Sequence, residues 1–174
     1  MELPKRKPIR LPDYDYSSPG AYFVTICTAN RRCLLSGITV GALHEAPAVN
    51  VRLTKLGQII RETIDFLPDR YPDLTVDNCV IMPNHVHLLL RIQMERALRE
   101  APLRERETRS LLSKAIGFLK MNCSKQIHQA YPDLDVWQRG YYEHVIRSED
   151  DYRESWEYID NNPARWAEDR YYEQ

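Results

Sequence analysis

The 174-residue chain predicts an α+β fold, a sandwich in which helices pack on a central, mostly antiparallel sheet. Three observations carry that expectation. Short runs rich in aromatic and β-branched residues follow turn signals. Three segments repeat their apolar residues at helical spacing. Two of the strand-like runs follow one another across a tight Pro-Asn turn. The length suits a single domain, assigned to residues 21–168, between an N-terminal arm (1–20) and a short tail (169–174).

The arm carries four prolines and a closing Pro-Gly, a pattern that wraps rather than packs. The run "AYFVTICT" (21–28) then reads as a strand. "RRCLLSGITVGALHEAPAVNVR" has apolar pieces broken by Gly and Pro, which predicts one weak strand and a loop. Thr54 caps "KLGQIIRETIDFLP", a helix that Pro68 ends, with Leu56, Ile59, Ile60, Thr63, Ile64 and Leu67 on one face. "LTVDNCVIM" and "HVHLLLRI" form two strands around Pro83 and Asn84.

"SLLSKAIGFLKMNCSKQIHQA" is a second amphipathic helix, with Leu111, Leu112, Ala115, Ile116, Leu119 and Met121 as core contacts. "VWQRGYYEHVI" (136–146) is a strand that Gly140 allows to bend. Ser148, followed by Glu149, Asp150 and Asp151, starts the last helix, since a hydroxyl and first-turn acids suit its free amides and dipole. Pro163 closes it near Asn162.

Composition narrows the function less than the motifs do. With 24 Lys plus Arg against 25 Asp plus Glu, the net charge of −1 gives no global sign of nucleic-acid binding. Four scattered cysteines without a CxxC pair predict reduced thiols, mostly in the core. Neither a secretory signal nor an apolar run long enough to span a membrane is present, so the expected compartment is the cytoplasm.

The chemistry-bearing feature is "MPNHVHLLL", where the strand period sets His85 and His87 on one face. A lone histidine on an apolar strand is most often a hydrogen-bonded core residue. Two at i and i+2 can turn ring nitrogens toward one ion about 2.0–2.2 Å away, but a third ligand is then needed. On the last helix Tyr158 and Asn162 are four residues apart and share a face, so Asn162 could supply an amide oxygen and Tyr158 a nucleophilic phenol. The alternative is that Tyr158 packs with Tyr152, Ser155, Trp156 and Ile159. Asp160 could assist the ion or simply face solvent.

Charge is distributed unevenly. Residues 104–125 carry six Lys or Arg and two Glu, net +4, whereas residues 148–174 carry nine acids and three Arg, net −6. Lys114 and Lys120 on the basic helix, Arg31 and Arg32, the arm's Lys5, Arg6, Lys7 and Arg10, and Arg139 beside Tyr141 and Tyr142 could meet a nucleic-acid backbone and stack bases. Solvated faces are the alternative.

Four blocks together resemble a known family. "RLPDYDYSSPGAYFVTICTANRRCLL", "VIMPNHVHLLL", "SKAIGFLK" and "VWQRGYYEHVIRSEDDYRESWEYIDNNPARW" are similar, in order and spacing, to the REP-associated tyrosine transposases, which are single-tyrosine HUH transposases. The resemblance covers residues 9 to 168. It implies a ferredoxin-like, HUH-type sandwich. It also implies that His85 and His87 ligate a divalent ion, Mg²⁺ or Mn²⁺, that Tyr158 is the nucleophile, and that Asn162 is the third ligand, with Tyr141 and Tyr142 as rival nucleophiles.

The implied activity is cleavage and transfer of single-stranded DNA bearing a REP-like hairpin, through a 5′-phosphotyrosine, by a chain expected to act as a monomer. A hairpin-binding regulator with the same fold, and a phosphodiesterase that uses water as nucleophile, are the rival readings.

Overall fold

The computed structural model describes residues 19–41, 48–93 and 110–168. The proposed arm up to residue 18, with Lys5, Arg6, Lys7 and Arg10, and the tail lie outside the described residues, and Gly20 already belongs to the first strand.

Four strands, β1 (Gly20–Cys27), β4 (Leu74–Ile81), β5 (His85–Ile92) and β6 (Tyr142–Ile146), form one sheet in the order β4-β5-β1-β6. Every neighbouring pair is antiparallel. The helices are α1 (Lys55–Asp65), the short α2 (Leu67–Arg70), α3 (Leu111–Ile127) and α4 (Glu149–Asn161).

Alternation decides which side chain goes where. On one face Tyr22, Val24 and Ile26 of β1 and Val86, Leu88 and Leu90 of β5 are fully buried against Ile60 and Ile64 of α1 and Leu112, Ile116 and Leu119 of α3. Apolar burial of about 25 cal/mol per Å² makes this face the principal source of stability. The opposite face carries Phe23 and Thr25 of β1 and His85, His87, Leu89 and Arg91 of β5, and α4 lies over it.

Caps follow the sequence. Thr54 Oγ1 accepts from the Gly57 amide, Ser110 Oγ from Ser113, and Ser148 Oγ from Asp151. Gly57 is required for close approach, because a Cβ there would lie 2.0 Å from the Leu35 carbonyl oxygen.

Four features differ from the sequence reading. The stretch after β1 forms two paired strands, β2 (Ser36–Gly41) and β3 (Ala48–Leu53), in a separate two-stranded sheet rather than one weak strand and a loop. Pro68 sits in the first turn of α2, where its missing amide costs nothing, so α1 ends earlier, at Asp65. Met121 is 63% exposed, because the buried stripe of α3 runs through Leu119 and Cys123 instead. Finally, β6 begins at Tyr142, after Gly140 at φ +79° has turned the chain; upstream, Trp137 makes an isolated bridge to Thr28. All four cysteines are free thiols, but Cys33 is exposed and Cys79 half-buried.

Candidate active site

The two histidines sit at the start of β5, where the chain has just turned through Met82–Asn84. That turn is bracketed by the segment after β1. Pro83 O accepts from the Leu34 and Leu35 amides, each at 2.9 Å, and Asn84 O accepts from both the amide and the hydroxyl of Thr28. The Thr28 hydroxyl also lies 2.8 Å from Arg32 O. Asn30 and Arg31, in between, both take left-handed backbone geometry, at φ 55° and 57°, which is uncommon for residues other than glycine.

Each imidazole is oriented through its Nδ1. Asn84, fully buried, places Oδ1 2.6 Å from His85 Nδ1; an amide oxygen only accepts, so Nδ1 carries the proton and Nε2 a lone pair. Thr25, directly across the ladder from His87, bonds its Nδ1 at 2.9 Å. His87 Nε2 is buried and has no hydrogen-bond partner. Burial pushes the His87 imidazole well below its ordinary range, and the His85 ring and the Arg31 guanidinium push it the same way.

A buried, neutral imidazole whose Nε2 has no partner, beside a second imidazole 4.5 Å away between ring centroids, fits a divalent cation once the Thr25 hydroxyl accepts from Nδ1 and leaves the Nε2 lone pair free. The described residues hold no group of three or more His, Cys, Asp or Glu at one point, so among them any further ligand is of another type.

Tyr158 reaches this pair from α4 of the same chain. Its ring lies 5.3 Å from that of His87 and 5.8 Å from that of Phe23, edge-on to both, and it is 47% exposed. Phe23 in turn stacks on His87 at 5.0 Å. Asn162, at the end of α4, is half-buried; with Tyr158, Arg165 and Trp166 it lines a cavity of about 430 Å³. Its amide hydrogen-bonds neither imidazole.

The other candidates are placed as follows. Tyr141 packs at the core, its hydroxyl 3.2 Å from that of Ser113. Tyr142 is exposed on β6 opposite Thr25, on the histidine face but two strands from His87. Asp160 is exposed and accepts from Asn78 at 2.9 Å. Lys120 gives its ammonium to the carbonyls of Gln138 and Gly140, both at 2.7 Å, and Arg32 donates to the Ala29 and Asp135 carbonyls, so these two cations brace loops. Lys114 is half-buried on α3 and Arg139 is exposed before the Gly140 turn.

Sequence reasoning missed the supporting residues. Thr25 and Asn84 were discoverable, the first from strand alternation and the second as the neighbour of His85. Asp77, Arg91 and Tyr152, which tie α4 to the sheet, carried one faint signal: consecutive polar residues, Asp77 and Asn78, inside an apolar strand. The register shifts there, since Val76 faces Leu90 while Asn78 faces Leu89, leaving Asp77 as an extra residue in a β-bulge. Burial raises the Tyr152 phenol, an effect that Arg91 opposes and Asp77 reinforces, so its hydroxyl stays protonated.

An antiparallel sheet with paired histidines on a central strand, faced by a helix-borne tyrosine, defines the class as an HUH-type α+β sandwich. Comparison with known proteins narrows this. An uncharacterized protein of Haemophilus influenzae is 33% identical over 175 residues, covering 96% of this chain and 93% of its own. A second Haemophilus influenzae protein, named "Putative REP-associated tyrosine transposase", is 29% identical over 154 residues, covering 87% of this chain and 74% of its own. A solved REP-associated tyrosine transposase bound to a REP hairpin matches with a TM-score of 0.58 at 22% identity, over 90% of this chain and 74% of that one, a likeness of fold. No family model matches. The chain is thus similar in sequence to a protein named as a REP-associated tyrosine transposase and shares its fold with a solved one.

Proposed function

We propose that this protein is a transposase that cleaves and rejoins single-stranded DNA beside a hairpin, with Tyr158 as nucleophile. The observation that carries the reading is the 5.3 Å approach of the Tyr158 ring to His87 within one chain. It favours Tyr158 over Tyr142 and supports a self-contained monomer.

His85 and His87 would hold the divalent cation through Nε2, with Asn162 as a further ligand once DNA is bound. A cation held there, Mn²⁺ more tightly than Mg²⁺ given imidazole ligands, would draw charge from a nonbridging phosphate oxygen. Tyr158 Oη attacks phosphorus, and its proton leaves to the water that reaches this half-exposed residue. The bond from phosphorus to O3′ breaks, O3′ takes up a proton, and a 5′-phosphotyrosine and a free 3′-hydroxyl remain. The reverse attack rejoins strands and needs no nucleotide, because the phosphodiester bond energy is conserved in the adduct.

Arg31, whose charge is felt at His87, together with Lys114 and Arg139, would meet DNA phosphates. The REP hairpin held by the solved relative supports hairpin DNA as the ligand.

The test is a covalent-capture assay with a single-stranded hairpin oligonucleotide and Mn²⁺. The parent chain is expected to give a protein–DNA adduct and Tyr158→Phe none, with hairpin affinity retained. An adduct that survives in Tyr158→Phe refutes the assignment; turnover without any adduct marks a water-using phosphodiesterase, and binding alone marks a regulator.

A further inference from the structure

α4 is docked by a set of side chains that the reaction does not use. Its one buried residue is Ile159, so apolar packing does little to fix its rotation or its position along the sheet. Polar ties do this instead. The Tyr152 hydroxyl donates to Asp77 Oδ2 at 2.9 Å and accepts from Arg91 Nη2 at 3.1 Å, while Arg91 Nε donates to the same Asp77 oxygen at 2.9 Å. The Arg91 guanidinium also lies over the Tyr152 ring, 5.3 Å from its centroid. At the other end, Asn78 Nδ2 donates to Asp160 Oδ1 at 2.9 Å.

The anchors flank the nucleophile. Tyr152 precedes Tyr158 by six residues and Asp160 follows it by two, so at about 1.5 Å per residue the two ties are roughly 12 Å apart along the helix. Two fixed points resist both sliding and rocking. The sheet-side partners belong to the histidine face: Arg91 stands four residues beyond His87 on β5, and the bulge in β4 turns Asp77 and Asn78 together toward α4.

We propose that Asp77, Arg91 and Tyr152 are positioning residues that set the reach of Tyr158 toward the scissile phosphate. The proposal rests on Tyr158 being the nucleophile. None of the three touches the reacting atoms. A misplacement of about 1 Å can cost on the order of a hundredfold in rate, so a tie worth little to global stability can matter greatly to the reaction.

The decisive variant is Tyr152→Phe, which keeps the ring and its contacts with Arg91 and Trp156 and removes only the hydroxyl. At saturating hairpin oligonucleotide with Mn²⁺, adduct formation is expected to slow roughly tenfold, with the Kd for the oligonucleotide unchanged. Asp77→Ala should behave alike, whereas Asp77→Asn, which still offers an oxygen to Tyr152, should keep most of the rate. A second readout needs no DNA. The His87 ring protons lie under the ring current of Tyr158, so their NMR shifts report the spacing, and Tyr158→Leu supplies the value without that ring. Tyr152→Phe should move the His87 signals toward the Tyr158→Leu value.

If either the adduct rate or the His87 shift stays at the parent value in Tyr152→Phe, the positioning role is overturned while the nucleophile assignment stands. A parent chain that forms no adduct overturns both.

Discussion

The two faces of the sheet are built from the same strands but on opposite terms. Toward α1 and α3, β5 presents Val86, Leu88 and Leu90, all fully buried among other apolar side chains. Toward α4 it presents His85, His87 and Arg91 around a single buried leucine, Leu89, and the contacts of the polar three are hydrogen bonds and ring edges. The first face holds the fold together and the second holds polar groups and rings in place. The difference shows how a small domain keeps unsatisfied chemistry: an imidazole nitrogen without a partner is tolerable because stability is secured on the other side.

The largest expected effect tests that division directly. Leu88→Ala should cost about 2–5 kcal/mol in urea denaturation, since it leaves a cavity in packed core. A loss as small as that of a surface substitution would break the comparison. Next, Mn²⁺ should stabilise the parent by about 2.7 kcal/mol at a hundred times its Kd, and should not stabilise His87→Ala. Equal stabilisation of both would move the cation elsewhere.

Smaller still is Ser148→Ala, which removes the α4 cap at about 1 kcal/mol. Hydrogen exchange should register it in α4 amides well before β5 amides, because the polar-docked helix opens on its own. Uniform change across the sheet would show that the two faces unfold as one. Tyr158→Phe, finally, should change stability by less than about 0.5 kcal/mol, the residue being half-exposed, while abolishing the adduct.

Much of this was legible in the sequence, for reasons that also explain what was not. Tyr22, Val24 and Ile26 announce their strand by period two, and Thr54, Ser110 and Ser148 sit where caps belong, so β1, α1, α3 and α4 follow from local rules. The histidine face follows as well, because alternation puts His85 with His87. The pairing of β2 with β3 was hidden by Gly and Pro, and by short apolar runs that alternate too briefly to stand out. Lys120 and Arg32 look like DNA-facing cations when charges are counted along the chain. Their carbonyl partners at Gln138, Gly140 and Asp135 come together only when distant loops fold. Tyr158 is proposed through its motif, but what holds its helix, the Asp77–Arg91–Tyr152 tie, depends on a register shift that no local pattern encodes.

That bulge has a consequence for chain length. Within a strand, losing one residue normally sends every later side chain to the wrong face. In β4 the loss of Asp77 would do the opposite, since Val76 and Asn78 already face adjacent partners and the alternation on either side would close up intact. The strand therefore has a position where a one-residue deletion spares the core and removes only the Tyr152 fastening of the tyrosine helix. At that position reading-frame-preserving indels, rather than substitutions, are the gentlest way to uncouple folding from the proposed strand transfer.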